Sequence, residues 1–266
     1  MEWKNLRKWM ILTLLAVDLF LAGNLLWQVH EQRQSERTAL LDAVQVAQRR
    51  GIALDAEALL GLPVAPEAFG TQRSTALEQQ AAAALLGEPL QQEGPGGGIS
   101  IYRGERGRLS FRRGGALELE LIRQEAGAGD WQKLLASAGF PVEEVRIEQQ
   151  GDGVTLIQCQ QGAAIVNSRL TCTAAEGTAQ VRGRWLLSRE LTASQESLSR
   201  AQLALALCDL LETRGIEAPD GLEFGYSLQS EDAQSLLLEP VWIVTCGTEQ
   251  LLLSCLTGSE LAYQPV

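Results

Sequence analysis

From Trp9 to Trp27 the chain reads WMILTLLAVDLFLAGNLLW, a run whose only strongly polar members are Asp18 and Asn24. At about 1.5 Å of rise per residue, a helix of this length crosses a hydrocarbon core of roughly 30 Å. The run therefore predicts a transmembrane helix over 9–27 behind a short cytoplasmic tail, 1–8. Lys4, Arg7 and Lys8 precede it, whereas Gln28, His30, Glu31 and Gln32 follow it. The positive-inside bias then places the N-terminus in the cytoplasm and residues 28–266 outside, a single-pass protein of the cell membrane. Trp9 and Trp27 fall where an aromatic belt is expected. A cleaved signal peptide is the competing reading, but the run exceeds the usual apolar core of about 7–15 residues and carries no small-x-small cleavage site. Either reading exports the bulk of the chain.

Asp18 is the sharpest residue of this segment. A carboxylate in hydrocarbon costs a few kcal/mol, so it is normally protonated, paired or turned toward another helix. Asn24 lies six residues on and does not share one narrow stripe with it. Both are candidates for contact with a partner's helix.

Charge narrows the partners. Lys plus Arg number 22 against 33 Asp plus Glu, a net charge of −11. Residues 1–27 carry +1, which leaves −12 for the exported part. Nucleic acid is excluded as a general partner, because counterion release needs a basic face. Binding to anionic lipid by charge alone is disfavoured for the same reason. The single histidine, His30, excludes a His base and a multi-His metal site.

Beyond the apolar run, Leu40, Leu41, Val44, Val46 and Ala47 recur at helical spacing up to Gly51, and a second helix is read from Thr71 to Leu86, closed by Gly87. GLPVAPEAFG between them reads as loop and EGPGGG at 93–98 as the most flexible piece. Short strands follow at 99–103, 107–112 and 116–122. GAGD at 127–130 is the domain-boundary candidate, with a short helix closed by Gly139 after it. Runs at 142–149, 153–160, 163–173 and 178–188 read as an antiparallel meander. A helix from Ser194, taken as its N-cap, to Arg214 and three final strands complete the chain. The class is α+β: an N-terminal transmembrane helix, then helices packed on curved antiparallel sheets in two subdomains, 28–126 and 130–266.

The search for chemistry is empty: no catalytic residue, cofactor site or metal site is assigned. There is no GxSxG, SxxK or CxxC, and GPGGG lacks the GK[ST] of a phosphate loop. Glu143-Glu144 and Glu231-Asp232 read as solvated turns. Cys159, Cys172, Cys208, Cys246 and Cys255 read as small core hydrophobes, since the hairpin register sets Cys159 near Ala164, Cys172 near Gly151, Cys246 near Gln250 and Cys255 near Val241. Arg103, Arg106, Arg108, Arg112 and Arg113 form the one positive patch, either a solvated face or a docking site for an acidic partner.

Two stretches resemble a known family. MEWKNLRKWMILTLLAVDLFLAGNLLWQ is similar to the opening of the YycI family: an acidic residue and Trp, a basic stretch, then an apolar span with a polar residue in its middle. Helix 195–214, GLEFGYSLQ with Tyr226, EPVWIVTCG with Pro240-Val241-Trp242, and a last strand ending Leu256-Thr257-Gly258 resemble the closing module of YycI and its relative YycH. The resemblance covers the two ends, and the centre only by pattern. The Ala- and Gln-rich middle, the cysteines and GPGGG depart from the family. It implies a non-enzymatic membrane protein that acts with a YycH-like bitopic partner to adjust a WalK (YycG) sensor histidine kinase of Gram-positive cell-wall metabolism, through transmembrane and extracytoplasmic contacts. The alternative is an anchored extracytoplasmic binding or protease-inhibitor-like module for a peptide or wall fragment.

Overall fold

The structure is a computed structural model, and it describes residues 2–122, 128–150, 153–175, 177–230 and 232–262. Five α-helices and fourteen strands are described: α1 (Glu2–Arg49), α2 (Ala56–Gly61), β1 (Ala68–Gln72), α3 (Thr75–Leu86), β2 (Gln91–Gly96), β3 (Ile99–Gly104), β4 (Gly107–Phe111), β5 (Ala116–Ile122), α4 (Ala128–Ser137), β6 (Val145–Gln150), β7 (Gly153–Gln160), β8 (Ala163–Ala175), β9 (Thr178–Arg184), β10 (Thr192–Gln195), α5 (Arg200–Arg214), β11 (Gly221–Ser230), β12 (Ser235–Cys246), β13 (Glu249–Ser254) and β14 (Glu260–Leu261).

The fold is mixed α+β, but two expectations within that class are corrected. Among the described residues no helix is long and apolar enough to cross a membrane. The transmembrane helix expected over 9–27, and the single-pass location with it, are therefore not supported. Asp18, Gly23 and Asn24 interrupt the apolar run, which continues without a break into the polar stretch of the same helix, α1. Second, the sheets expected in two separate subdomains form one sheet of fourteen strands, with the order β10-β1-β12-β11-β8-β9-β5-β4-β3-β2 along its main path. β13 and β14 extend from β12, while β6 and β7 extend from β8.

Two pairings carry the sheet across the chain. β5 lies antiparallel to β9 from Ala116↔Arg184 to Ile122↔Thr178. β1 lies between β10 and β12. The two halves meet where β11 runs parallel to β8 over only Gly225↔Ala164 and Tyr226↔Ile165. One side-chain amide continues strand-like pairing across this short junction, and a second ties β7 to the segment after β9. Asn167 accepts from the Leu228 N–H (2.7 Å) and donates to the Leu228 carbonyl (3.0 Å). Gln158 does the same for Leu186, at 3.0 Å in each direction, and takes a third bond from the Ser168 hydroxyl at 2.7 Å. All three polar side chains are buried.

β12 carries the near-continuous apolar run expected of a strand covered on both faces. Trp242 and Val244 face α1 and α5, where they pack with Leu40, Val44, Leu203 and Leu207. Val241 and Ile243 pack instead with Val166 and Leu252. A proline in a central strand normally costs a ladder bond. Pro240 sits where β12 passes from β1, ending at Phe69↔Leu238, to β13, beginning at Val241↔Ser254. Its missing N–H falls in this gap. The other half of the sheet is covered by α3 and α4, through Ala82, Leu86, Trp131 and Leu135 against Tyr102, Leu109, Leu119 and Val181. Gly107 and Gly183 allow close strand approach: a Cβ on either would lie 1.9 Å from a carbonyl oxygen, of Glu120 and Arg169 respectively.

Several boundaries shift. Thr192–Gln195 pairs with β1 as an edge strand, so the helix expected from Ser194 begins at Arg200. Ser199 caps it in a reciprocal box with Gln202. The helix expected from Thr71 begins at Thr75, because Ala68–Gln72 is drawn into the sheet and Ser74 caps α3. The flexible EGPGGG forms the end of β2 and its turn.

A buried ion pair ties these parts together. Arg73 and Glu78 have side chains 10% and 3% exposed. Arg73 Nε and Nη2 both donate to the Glu78 carboxylate, the second at 3.0 Å. The same guanidinium donates to the Gly98 carbonyl, to Ser100 Oγ (3.2 Å) and to the Phe111 carbonyl (3.4 Å). Its backbone N–H donates to the Gln234 carbonyl at 2.7 Å, at the entrance to β12.

All five cysteines are free thiols. Cys159 pairs with Ala164 as expected, whereas Cys172 lies opposite Val154, Cys246 opposite Glu249, and the Cys255 N–H meets the Pro240 carbonyl. Burial pushes the Cys172 and Cys255 thiols up to about 12.

Three outcomes follow from this packing. Arg73→Met strands a buried carboxylate and is expected to lower stability by about 3–5 kcal/mol in urea unfolding, with the Arg73→Met/Glu78→Met pair regaining at least half of that loss. Asn167→Leu takes the acceptor from the buried Leu228 N–H, while the Leu228 carbonyl keeps Arg184, and is expected to cost about 1–3 kcal/mol by the same measurement. In the folded protein at pH 8, iodoacetamide is expected to modify Cys159 and Cys246 while Cys172 and Cys255 stay protonated and unlabelled, as mass spectrometry of tryptic peptides would read.

Candidate functional site

Asp18 and Asn24 are both exposed on α1. Around them Leu14, Leu15, Val17, Leu19, Phe20, Leu21 and Trp27 are each 48–72% exposed. At 100° per residue these positions point all round the helix rather than to one side. Farther along, Leu40, Ala43, Val44 and Ala47 are buried against α5 and α2. Arg50, just past the helix end, reaches Asp209 of α5 at 2.5 Å. α1 is thus fixed at its C-terminal end and presents an apolar, Asp-bearing surface at the other.

The arginines of the expected positive patch fall into two groups, at the two ends of β4. Arg103 and Arg108 lie directly opposite one another in the β3–β4 register. Arg103 is 3.4 Å from Glu93, and the buried Nε of Arg108 has no partner. Arg106 stands at the turn between β3 and β4, exposed, its backbone bonded to Leu86 and Ile122. Arg112 and Arg113 lie at the other end of β4. Arg112 is 3.5 Å from Glu118, which Arg182 also reaches at 2.9 Å, and Arg113 donates to Ser230 Oγ at 3.3 Å. Three acceptors within the sheet therefore answer charges that sequence alone set on one face. Arg184, which the sequence reading passed over, is half-buried with one bond to the Leu228 carbonyl (3.3 Å), and burial holds its pKa below the ordinary arginine value.

The carboxylates are structural. Glu143 is held below the usual carboxylate range by its own backbone N–H and by Arg189, with which it forms an ion pair. Glu144 accepts from the Gly162 N–H at 3.1 Å. Glu231 lies outside the described residues. Asp232 accepts from the Gln234 and Ser235 N–H groups, each at 2.6 Å, and those bonds lower its pKa. Ser254 donates to Glu239, but both are buried, and the same Ser254 oxygen accepts from the Leu256 and Thr257 N–H groups. This pair fixes a turn and offers no route to a substrate. Among the described residues no group of three or more His, Cys, Asp or Glu is placed to hold a metal ion.

A concavity of binding-site size lies over the β1–β10 ladder, and no sequence motif marked it. A groove of about 1030 Å³ runs over the β1–β10 ladder. Gly70, Thr192 and Ser194 lie along the ladder, the first turn of α3 (Thr75 to Leu77) forms one wall, and Leu187 to Glu190 forms the other. A recess of about 20 Å³ adjoins it and shares Gln72, Arg73, Ser74, Ser188 and Leu236. Trp185 lines the recess. It is 1% exposed, and its indole N–H has no acceptor.

No family model matches the chain, and no curated protein matches it. Solved structures do. An uncharacterised protein from Eubacterium rectale is similar at 12% identity over 76% of this chain and 86% of its own, with a TM-score of 0.40. The C-terminal domain of Bacillus megaterium YpeB is similar at 12% identity over 71% of this chain and 96% of its own, with a TM-score of 0.33. At this distance neither likeness carries a function across.

Proposed function

We propose that the protein is a non-enzymatic regulator that modulates a WalK-like sensor histidine kinase by protein contact, alongside a YycH-like partner and on the outer side of the cell membrane. The kinase, the partner and the location come from the resemblance of the N-terminal and C-terminal segments to the YycI family.

The observation that carries a contact mechanism is the exposed part of α1. A helix apolar on every side is stable only when something covers it. The cover proposed here is a helical bundle in the extracytoplasmic part of the kinase, and Asp18 and Asn24 supply hydrogen-bonding groups that select a polar counterpart within it. Regulation of this kind requires α1 to bind two states of the bundle unequally, because equal affinity shifts no equilibrium.

With the full chain and the kinase co-expressed and purified together in detergent, Asp18→Leu and Leu21→Arg are each expected to reduce retained kinase at least fivefold and to change its autophosphorylation. The buried part of α1 is untouched by either change, so the unfolding midpoint should stay put. Retention and autophosphorylation both equal to wild type would sink the reading.

A further inference from the structure

β10 ends the sheet on one side. Its four residues, Thr192, Ala193, Ser194 and Gln195, are all exposed. Natural edge strands are usually blunted by charge, proline or a covering element. This one has neither charge nor proline, and the groove described above lies over its ladder with β1. We propose that the groove is a docking site for an extended peptide of small, uncharged side chains, which adds to the free edge of β10 and sets one small polar group against the Trp185 indole.

Three features select this occupant. The two cations at the groove are already answered, Arg73 by Glu78 and Arg189 by Glu143, so neither recruits a phosphate or a carboxylate, and Glu190 on the wall disfavours both. Much of the hydroxyl lining is also engaged: Thr71 donates to the Glu190 carbonyl (2.8 Å), Ser194 to the Ala68 carbonyl (3.3 Å) and Ser235 to Asp232 (3.0 Å). That leaves few side-chain groups for a sugar, and the aromatics of the recess, Trp185 and Phe111, are too buried to stack on a ring. What remains are backbone groups, at the strand edge and at the first turn of α3, where the leading N–H groups have no acceptor within the helix. An extended backbone is their natural complement.

The recess sets the size limit. About 20 Å³ holds one water or one group of similar bulk, such as a Ser hydroxymethyl, whose oxygen can accept from the Trp185 N–H. Neighbouring side chains of the peptide point alternately into the groove and away from it, so the small-residue requirement falls on every second position.

The inference takes up the binding-module reading of the sequence and is independent of the kinase contact, since β10 and the exposed part of α1 are different surfaces. The probe is a random dodecapeptide library on phage, selected on the full-length protein and counter-selected on Ser194→Trp, which fills the groove from an exposed position. Enriched peptides are then synthesised. Each is expected to lose at least tenfold in affinity on Ser194→Trp and about fivefold on Trp185→Phe, and to slow amide exchange at 192–195 in the wild-type chain. Failure to enrich over Ser194→Trp overturns the proposal, as does protection confined to other segments. Chitin oligomers that slow the 192–195 amides where the peptides do not would assign the groove to glycan instead.

Discussion

Arg73 is a side chain whose loss would reach α3, β3, β4 and the approach to β12 at once. Its guanidinium holds Glu78 of α3, the Gly98 carbonyl, Ser100 of β3 and the Phe111 carbonyl of β4, and its own N–H reaches the approach to β12. Ion pairs this deep are weak sources of net stability, because desolvation consumes most of the attraction. They are strong sources of position. A planar fork with all its bonds made admits one arrangement of the five segments around it. α3 therefore meets the sheet at a fixed place, and the groove between α3 and β10 follows from that placement.

The other constraint is the narrow seam between the two halves of the sheet. Two residue pairs of parallel ladder are a slight join for so many strands. Asn167 extends it with a side chain that copies the donor and acceptor of a peptide unit, and Gln158 does the same between β7 and the segment after β9. The seam thus resists sliding by hydrogen-bond geometry, with Ile165, Tyr226, Leu228 and Leu238 packed beside it. Polar residues here do what apolar ones could not, since every slip of register would leave a buried amide unpaired.

What the sequence made legible is whatever local chemistry decides. The meander β6–β9 was readable because alternation and turn residues mark it: Gln161 and Gly162 both take positive φ at the β7–β8 turn. The helix over 200–214 was readable from its spacing, but Ser194 was a plausible cap and Ser199 the true one, and only pairing with β1 removes Thr192–Gln195 from helical contention. β1 itself was invisible, because AFGTQ sits in a proline- and glycine-punctuated stretch and gains its strand character from partners more than a hundred residues away. The span over 9–27 was read from the length of the apolar run and its flanking charges, and the structure continues that stretch into one helix that fails as a crossing among the described residues. The arginine cluster was legible in part. Proximity in sequence set five charges on one hairpin, and Arg103 and Arg108 do stand opposite one another there, whereas the acceptors that neighbouring strands give Arg103, Arg112 and Arg113, namely Glu93, Glu118 and Ser230, come from the assembled sheet. Arg73–Glu78 and the groove lay beyond any local reading, since burial and the convergence of 70–77, 187–194 and 235–236 are properties of the assembled sheet.

Charge bookkeeping explains which surfaces are left to do work. The chain is acidic by eleven charges, and many of its cations are engaged internally: Arg50 with Asp209, Arg189 with Glu143, Arg214 with Glu260, Arg182 and Arg112 with Glu118. Exposed pairs of this kind contribute little stability, yet they remove cations from the surface and leave the acidic excess outward. Polyanions are then repelled at long range, and electrostatic steering offers nothing toward lipid headgroups or nucleic acid. Recognition must use short-range surfaces that carry no net charge of their own. Among the described residues, two candidates are the apolar flank of α1 and the edge backbone of β10. They lie on different elements, and contact at one places no demand on the other.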